Sequence, residues 1–108
     1  AARGISSAQA VQLMNREKAV VVDVSDPEEF AAGHIAGSKN IPLAELEAKL
    51  AAAVKNKNLP LILVCRSGAR SLRAAATASK LGFAQPQSLS GGLTAWREAA
   101  LPIETNAA

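Results

Sequence analysis

This chain holds one cysteine, Cys65, and its surroundings are unusual for a packing residue. The apolar run Leu61-Ile62-Leu63-Val64 leads straight into it, and Arg66-Ser67-Gly68-Ala69-Arg70 follows. A lone cysteine at the end of an apolar strand is ordinarily a small buried hydrophobe. Three features turn that reading toward a nucleophile. The segment after Cys65 is too polar for core. It feeds a helical pattern, and successive backbone N–H groups at a helix start can form a concavity for an anion. Arg66, Arg70 and Arg73 add positive charge nearby. A helix N-terminus and cations hold a thiol below its free pKa of about 8.5 and favour thiolate. The loop contains no acid or histidine to act as a paired base. The predicted chemistry is that of a stabilised sulfur anion, with helix and arginines as the cause.

The elements that must position Cys65 can be read along the chain. Ile5 starts a very short strand, and Ser6-x-x-Gln9 is a capping box that opens a helix running to about Lys18. Residues 19–24 (AVVVDV) are a β-branched run without alternation, which suits a strand covered on both faces. Asp26-Pro27-Glu28-Glu29 predicts a helix start, and Gly33 its end. Residues 38–42 read as a short edge strand, 43–54 as a helix with Leu43, Leu46 and Leu50 on one side, and 61–65 as a second buried strand. A helix over Arg70–Leu81 ends at Gly82, and 86–89 form a last strand. Ser90-Gly91-Gly92 turns into a helix from Leu93 to about Ala99. The tail from Leu101 shows no regular pattern. Strands alternating with helices predict a parallel sheet with helices on both faces. Ligands of such sheets bind at the carboxyl ends of the strands, where Cys65 lies.

Composition narrows the partners. At 108 residues and 49% hydrophobic the chain reads as one globular domain, residues 1–108 with a core of about 5–104. One cysteine excludes an internal disulfide, and one Cys with one His cannot build a structural zinc site. No metal or cofactor is expected. Three aromatic residues, Phe30, Phe83 and Trp96, argue against stacking nucleic acid. No apolar run has the length of a membrane span, and no signal-peptide pattern opens the chain. The expected location is cytoplasmic. The chain opens on Ala, so the alternative is a membrane-anchored or periplasmic protein whose N-terminal segment is missing. Residues 48–97 carry no Asp or Glu, whereas 23–47 are acid-rich. Cys65 thus sits in the basic half, which favours anionic partners. Lys49, Lys55 and Lys57 read as solvated charge.

With these residues in view, the chain resembles a single-domain rhodanese (thiosulfate sulfurtransferase) homology domain. CRSGAR (65–70) resembles that family's six-residue active-site loop, VVDVSDPEEFAAGHIAGSKNIP (21–42) its first signature block, and SLSGGLTAWREAALPIE (88–104) its closing block. The resemblance implies a three-layer α/β/α fold with a five-stranded parallel sheet. It implies that Cys65 takes the outer sulfur of thiosulfate, or another small anionic sulfur donor, as a persulfide. A thiol, a protein acceptor or cyanide would then receive that sulfur. The N–H groups of Arg66, Ser67, Gly68, Ala69, Arg70 and Ser71 are suited to hold the persulfide anion. Arg66 and Arg70 would contact the donor. Many members carry Arg where this chain has Ser25, so one cation near the site is missing.

The remaining polar residues read as support. Asp23, at the same sheet edge as Cys65, either accepts hydrogen bonds from the loop or Arg70, or caps local N–H groups. His34 reads as a structural, hydrogen-bonded loop histidine. Glu28 and Glu29 are adjacent, so they do not face each other and read as partners of the helix dipole. Gly91 and Gly92 permit a tight turn and lie near the site in the family. Trp96 reads as core. Other functions on the same fold are a phosphatase or arsenate reductase, a non-catalytic regulatory binding module, and a persulfide-delivery partner. The first is disfavoured because such enzymes resemble this family with one more residue between Cys and Arg. The second is disfavoured because the cysteine is kept.

Overall fold

Residues 3–105 are described by a computed structural model of the chain. In order they form β1 (Arg3–Ile5), α1 (Ser7–Glu17), β2 (Val20–Asp23), α2 (Pro27–Ala32), β3 (His34–Ile35) and β4 (Lys39–Asn40). A 3-10 turn (Leu43–Glu45) then runs into α3 (Leu46–Ala53), followed by β5 (Pro60–Val64), α4 (Ala69–Lys80), β6 (Gln85–Leu89), α5 (Gly92–Glu98) and β7 (Ile103–Glu104).

Local chemistry explains most boundaries. Ser6 and Gln9 form the expected capping box: the Gln9 N–H donates to Ser6 Oγ at 3.1 Å and the Ser6 N–H to Gln9 Oε1 at 2.9 Å. Pro27 opens α2, where its missing N–H is no loss, and the Asp26 N–H donates to Glu29 Oε1 at 3.1 Å.

Five strands form a parallel sheet in the order β1-β6-β5-β2-β4. All five residues of β5 are buried, as a run without alternation predicts. Val22 pairs with Leu63 and Asp23 with Val64, so β2 and β5 end level with each other. That register sets Cys65 beside Val24 at the carboxyl edge of the sheet. Two separate cores cover the faces. On one, Val22, Leu63 and Cys65 pack with Leu46 and Leu50 of α3 and Ala74 and Ala78 of α4. On the other, Val21, Ile62 and Leu89 pack with Ala10 of α1 and Trp96 of α5. The layers are therefore α/β/α, as expected. Burying one such Leu or Ile side chain contributes about 1.5–3 kcal/mol.

The tail differs from its expectation. Instead of being irregular, Ile103 and Glu104 pair antiparallel with Ile35 and His34. Two-residue strands carry no periodicity to read. What holds them is tertiary: Ile35 is buried, Ile103 packs on the α1/α5 core, and the Trp96 Nε1–H donates to the Pro102 carbonyl at 2.9 Å. Among the described residues, no helix is long and apolar enough to cross a membrane.

Candidate active site

Cys65 follows the last residue of β5 and is 1% exposed. The next three residues turn the chain sharply, and Gly68 occupies φ +105° before α4 begins. A side chain there would be strained. The turn brings the Gly68 N–H to 3.0 Å from Cys65 Sγ. Ser71, in the first turn of α4 and fully buried, places its Oγ 3.6 Å from the same sulfur.

A second element braces the loop from behind. The Leu93 N–H donates to the Cys65 carbonyl at 2.9 Å, and the Thr94 N–H and Oγ1 both reach the Arg66 carbonyl at 3.2 Å. These are orphan donors of the first turn of α5, used to fix the loop. The close approach depends on Gly92, because a Cβ there would collide with the Cys65 and Arg66 carbonyl oxygens. Gly92 thus lets the start of α5 come close to the loop.

Burial alone pushes the Cys65 thiol up. Hydrogen bonds from the Ser71 backbone and hydroxyl and from the Gly68 and Ser67 N–H groups outweigh it and leave the thiol below its ordinary value. The direction matches the expectation; the largest lowering causes are the loop's own donors, and the Arg70 guanidinium also feels the Cys65 charge. The Arg70 guanidinium meets Glu29 in a bidentate pair, Nη1 to Oε1 at 2.6 Å and Nη2 to Oε2 at 3.0 Å. Arg66 Nε stands 3.5 Å from the same carboxylate. Arg70 and the Asp26 N–H hold the Glu29 carboxyl down at about 2. Glu29 thus engages two of the Arg70 N–H groups and offsets part of its charge.

Asp23 also resolves to one of its two readings. Its Oδ1 accepts the Ser25 N–H at 2.8 Å and takes nothing from the loop or from Arg70. Burial is the main effect on its carboxyl and raises its pKa. Ser25 is buried, and its carbonyl accepts from Asn40 Nδ2 at 2.9 Å. His34 is buried, stacks on Phe30 at 3.7 Å between centroids, and shares a 2.6 Å hydrogen bond between Nδ1 and the Phe30 carbonyl. No group of three or more potential metal ligands occurs among the described residues.

Arg66, Ser67 and Ala69 are exposed at the turn. Ser67, Gly68 and Ala69 border a cavity of about 250 Å³. Arg70 and Arg73 border another of about 510 Å³, and Glu29, Arg66 and Arg97 a third of about 300 Å³. The Glu29 ion-pair cluster stands between the last two. Sequence reading missed Glu29 as a loop partner, because it lies 41 residues from Arg70 and its capping position accounts for it locally. It also missed Ser88 of β6, whose Oγ lies 2.7 Å from Ser71 Oγ. No motif marks that serine.

The family model described as a rhodanese-like domain matches residues 6–99. Thiosulfate sulfurtransferase GlpE of Pseudomonas putida is 40% identical over 99 residues, which are 90% of this chain and 86% of that protein. A protein of Escherichia coli named uncharacterized protein YibN is 38% identical over 100 residues, 92% of this chain and 70% of that one. The crystal structure of a rhodanese-related protein from Thermoplasma volcanium superposes with a TM-score of 0.80 at 30% identity, covering 94% of this chain and 97% of that one.

Proposed function

This chain belongs to the rhodanese-like domain family, and we propose that it is a sulfurtransferase in which Cys65 carries sulfane sulfur as a persulfide. The observation that carries this reading is the convergence of loop donors on Cys65 Sγ, with the Gly68 N–H at 3.0 Å and the thiol held below its ordinary pKa. Such donors, fixed before reaction, stabilise an anion without reorganising.

In the first step Cys65 thiolate attacks the outer sulfur of thiosulfate. A bond forms between the two sulfurs, the bond to the sulfonate sulfur breaks, and its electron pair leaves with sulfite. The persulfide anion left on Cys65 is held by the N–H groups of the loop from Arg66 to Ser71. In the second step a nucleophile, cyanide or an acceptor thiolate, attacks the outer sulfur. The S–S bond breaks and its pair returns to Sγ as thiolate. Neither step calls for a proton from a paired base, which agrees with the absence of an acid or histidine from the loop sequence.

Two observations bear on the donor. Ser25 supplies no cation, and Arg70 is already paired with Glu29. A dianion therefore meets guanidinium groups whose charge Glu29 partly offsets, so the half-saturating thiosulfate concentration should be high. The acceptor is a thiol, small or on a protein.

Mass spectrometry of the purified protein after exposure to thiosulfate tests the proposal. The expected result is one added sulfur atom on Cys65, removed by cyanide. Cys65→Ser should retain the fold and less than about a hundredth of the thiosulfate:cyanide activity, since loss of a nucleophile typically removes far more. Turnover of p-nitrophenyl phosphate with none of thiosulfate would overturn the reading in favour of a phosphatase. The four-residue spacing between Cys65 and Arg70 predicts the opposite.

A further inference from the structure

Ser71 Oγ stands at the centre of a small buried cluster. It lies 3.6 Å from Cys65 Sγ, 3.0 Å from the Gly68 carbonyl oxygen and 2.7 Å from Ser88 Oγ. Both serines are 1% exposed or less. Among the described residues, the Ser88 hydroxyl has Ser71 as its one hydrogen-bond partner.

A serine hydroxyl has one proton and two lone pairs, and this inventory fixes the direction of each bond. A buried donor left unused is costly, so Ser88 gives its proton to Ser71. While Cys65 is a thiol, its S–H donates to Ser71 Oγ and Ser71 donates to the Gly68 carbonyl. Every place on the Ser71 oxygen is then filled. When the thiol loses its proton, Sγ needs a donor. Ser71 can supply one by a single rotation, turning its proton from the Gly68 carbonyl to the sulfur. That carbonyl is not orphaned, because it keeps the Leu72 N–H at 3.2 Å. The Ser88 bond survives the rotation. It also polarises the Ser71 O–H and so strengthens the new bond to sulfur, as linked hydrogen bonds do.

We propose that Ser88 is a positioning residue for the sulfur chemistry: through Ser71 it sustains a hydroxyl that follows the protonation state of Cys65. The proposal rests on the reading of Cys65 as the nucleophile. The same rotation serves the second step of transfer, when the S–S electron pair returns to Sγ and the Ser71 proton meets it. Ser88 itself touches no reacting atom.

The test is the pH dependence of alkylation by iodoacetamide in wild type, Ser71→Ala, Ser88→Ala and the double variant, with thermal melts of all four. Ser71→Ala should raise the midpoint by about one to two units, the worth of one hydrogen bond to a charged group. Ser88→Ala should raise it by about half a unit, which is about threefold less thiolate below the midpoint. In the Ser71→Ala background, Ser88→Ala should leave the midpoint where Ser71→Ala put it. The double variant should also melt no lower than Ser71→Ala, since removing both partners leaves no orphan. An unchanged midpoint in Ser88→Ala, or the same shift in both backgrounds, would overturn the proposal, because a merely structural serine would act independently of Ser71. No sulfur donor enters the measurement. A flat result therefore leaves the Cys65 persulfide standing, and a failure of thiosulfate turnover leaves the relay standing.

Discussion

Burial alone would make Cys65 a poor nucleophile, and the donors around its sulfur work against that. Burial raises its pKa, and the Ser71, Gly68 and Ser67 donors reverse the direction. The alkylation midpoint of the wild type should therefore fall below the free-thiol value of about 8.5; a midpoint at or above it would mean that the loop does not favour thiolate. The shift has a stability consequence. A folded-state pKa below the unfolded one contributes stability that is present above the unfolded value and lost as pH falls through the folded one. Melts of wild type and Cys65→Ser should accordingly diverge as pH rises across that window. Glu29 follows the same sign at lower pH. Its ion pair with Arg70 contributes fully above about 4.3, the ordinary carboxyl value, and is lost as pH falls toward about 2. Over any ordinary assay range Glu29 stays ionised and the pair is intact. On the proposed function, Glu29→Gln removes one negative charge from beside a dianionic donor. At about 6 Å in a wet environment one charge acting on a dianion is worth about 1.4 kcal/mol, roughly a factor of ten. The thiosulfate KM should fall by about that factor with kcat little changed, and added salt should erase the gain. A KM that rises in Glu29→Gln would show that the carboxylate matters for loop order more than for charge.

The elements around the loop differ in how legible they are. β2 and β5 could be read directly, because each is a continuous apolar run of the kind that a doubly covered strand requires. The helix starts at Ser6 and Asp26 could be read from their caps. The loop at Cys65 could be read because its arginines and serine, coming straight after a buried strand, cannot continue into the core. The brace from α5 could not. Gly91-Gly92 signals a turn, but not that its helix lends N–H groups to the Cys65 and Arg66 carbonyls, since that contact joins segments 28 residues apart. Gly92→Ala probes this brace. The added Cβ meets both carbonyls, and the position has φ +55°. We expect a loss of about 1–3 kcal/mol in stability from backbone strain. We also expect at least a tenfold fall in sulfur transfer, the scale set by displacing a single anion donor. A variant that melts lower but keeps full turnover would show that the carbonyls can shift without moving the N–H groups that face the sulfur.

At the scale of the molecule, alternation of strands and helices suffices to predict a parallel sheet with two helical layers, because parallel strands need crossovers. It does not predict that β1 closes the edge beside β6, nor that Glu29 reaches across to Arg70. Such pairings depend on where whole elements come to rest, and no local pattern encodes them. The tail is the clearest case. Residues 101–105 look irregular, yet they strap one core: Ile103 pairs with Ile35, the Gly37 N–H donates to Glu104 at 3.2 Å, and Pro102 accepts the Trp96 indole N–H. Deleting residues 102–108 would leave that buried N–H without a partner, a loss of about 1–3 kcal/mol. For a domain of this size each kcal/mol lowers Tm by about 4–8 °C. In a Trp96→Phe background the indole N–H is already gone, so the same deletion should lower Tm by less. The strap packs on the α1/α5 core, whereas Cys65 belongs to the core on the opposite face of the sheet. The tail and the loop nevertheless share α5, the tail through Trp96 and the loop through the Leu93 and Thr94 N–H groups, so thiosulfate turnover well below the melting range should stay near that of the full chain as long as α5 keeps its place. An unchanged Tm would show that the strap adds no stability. Lost turnover in a truncated protein that is still folded would show that the tail positions the loop from across the sheet.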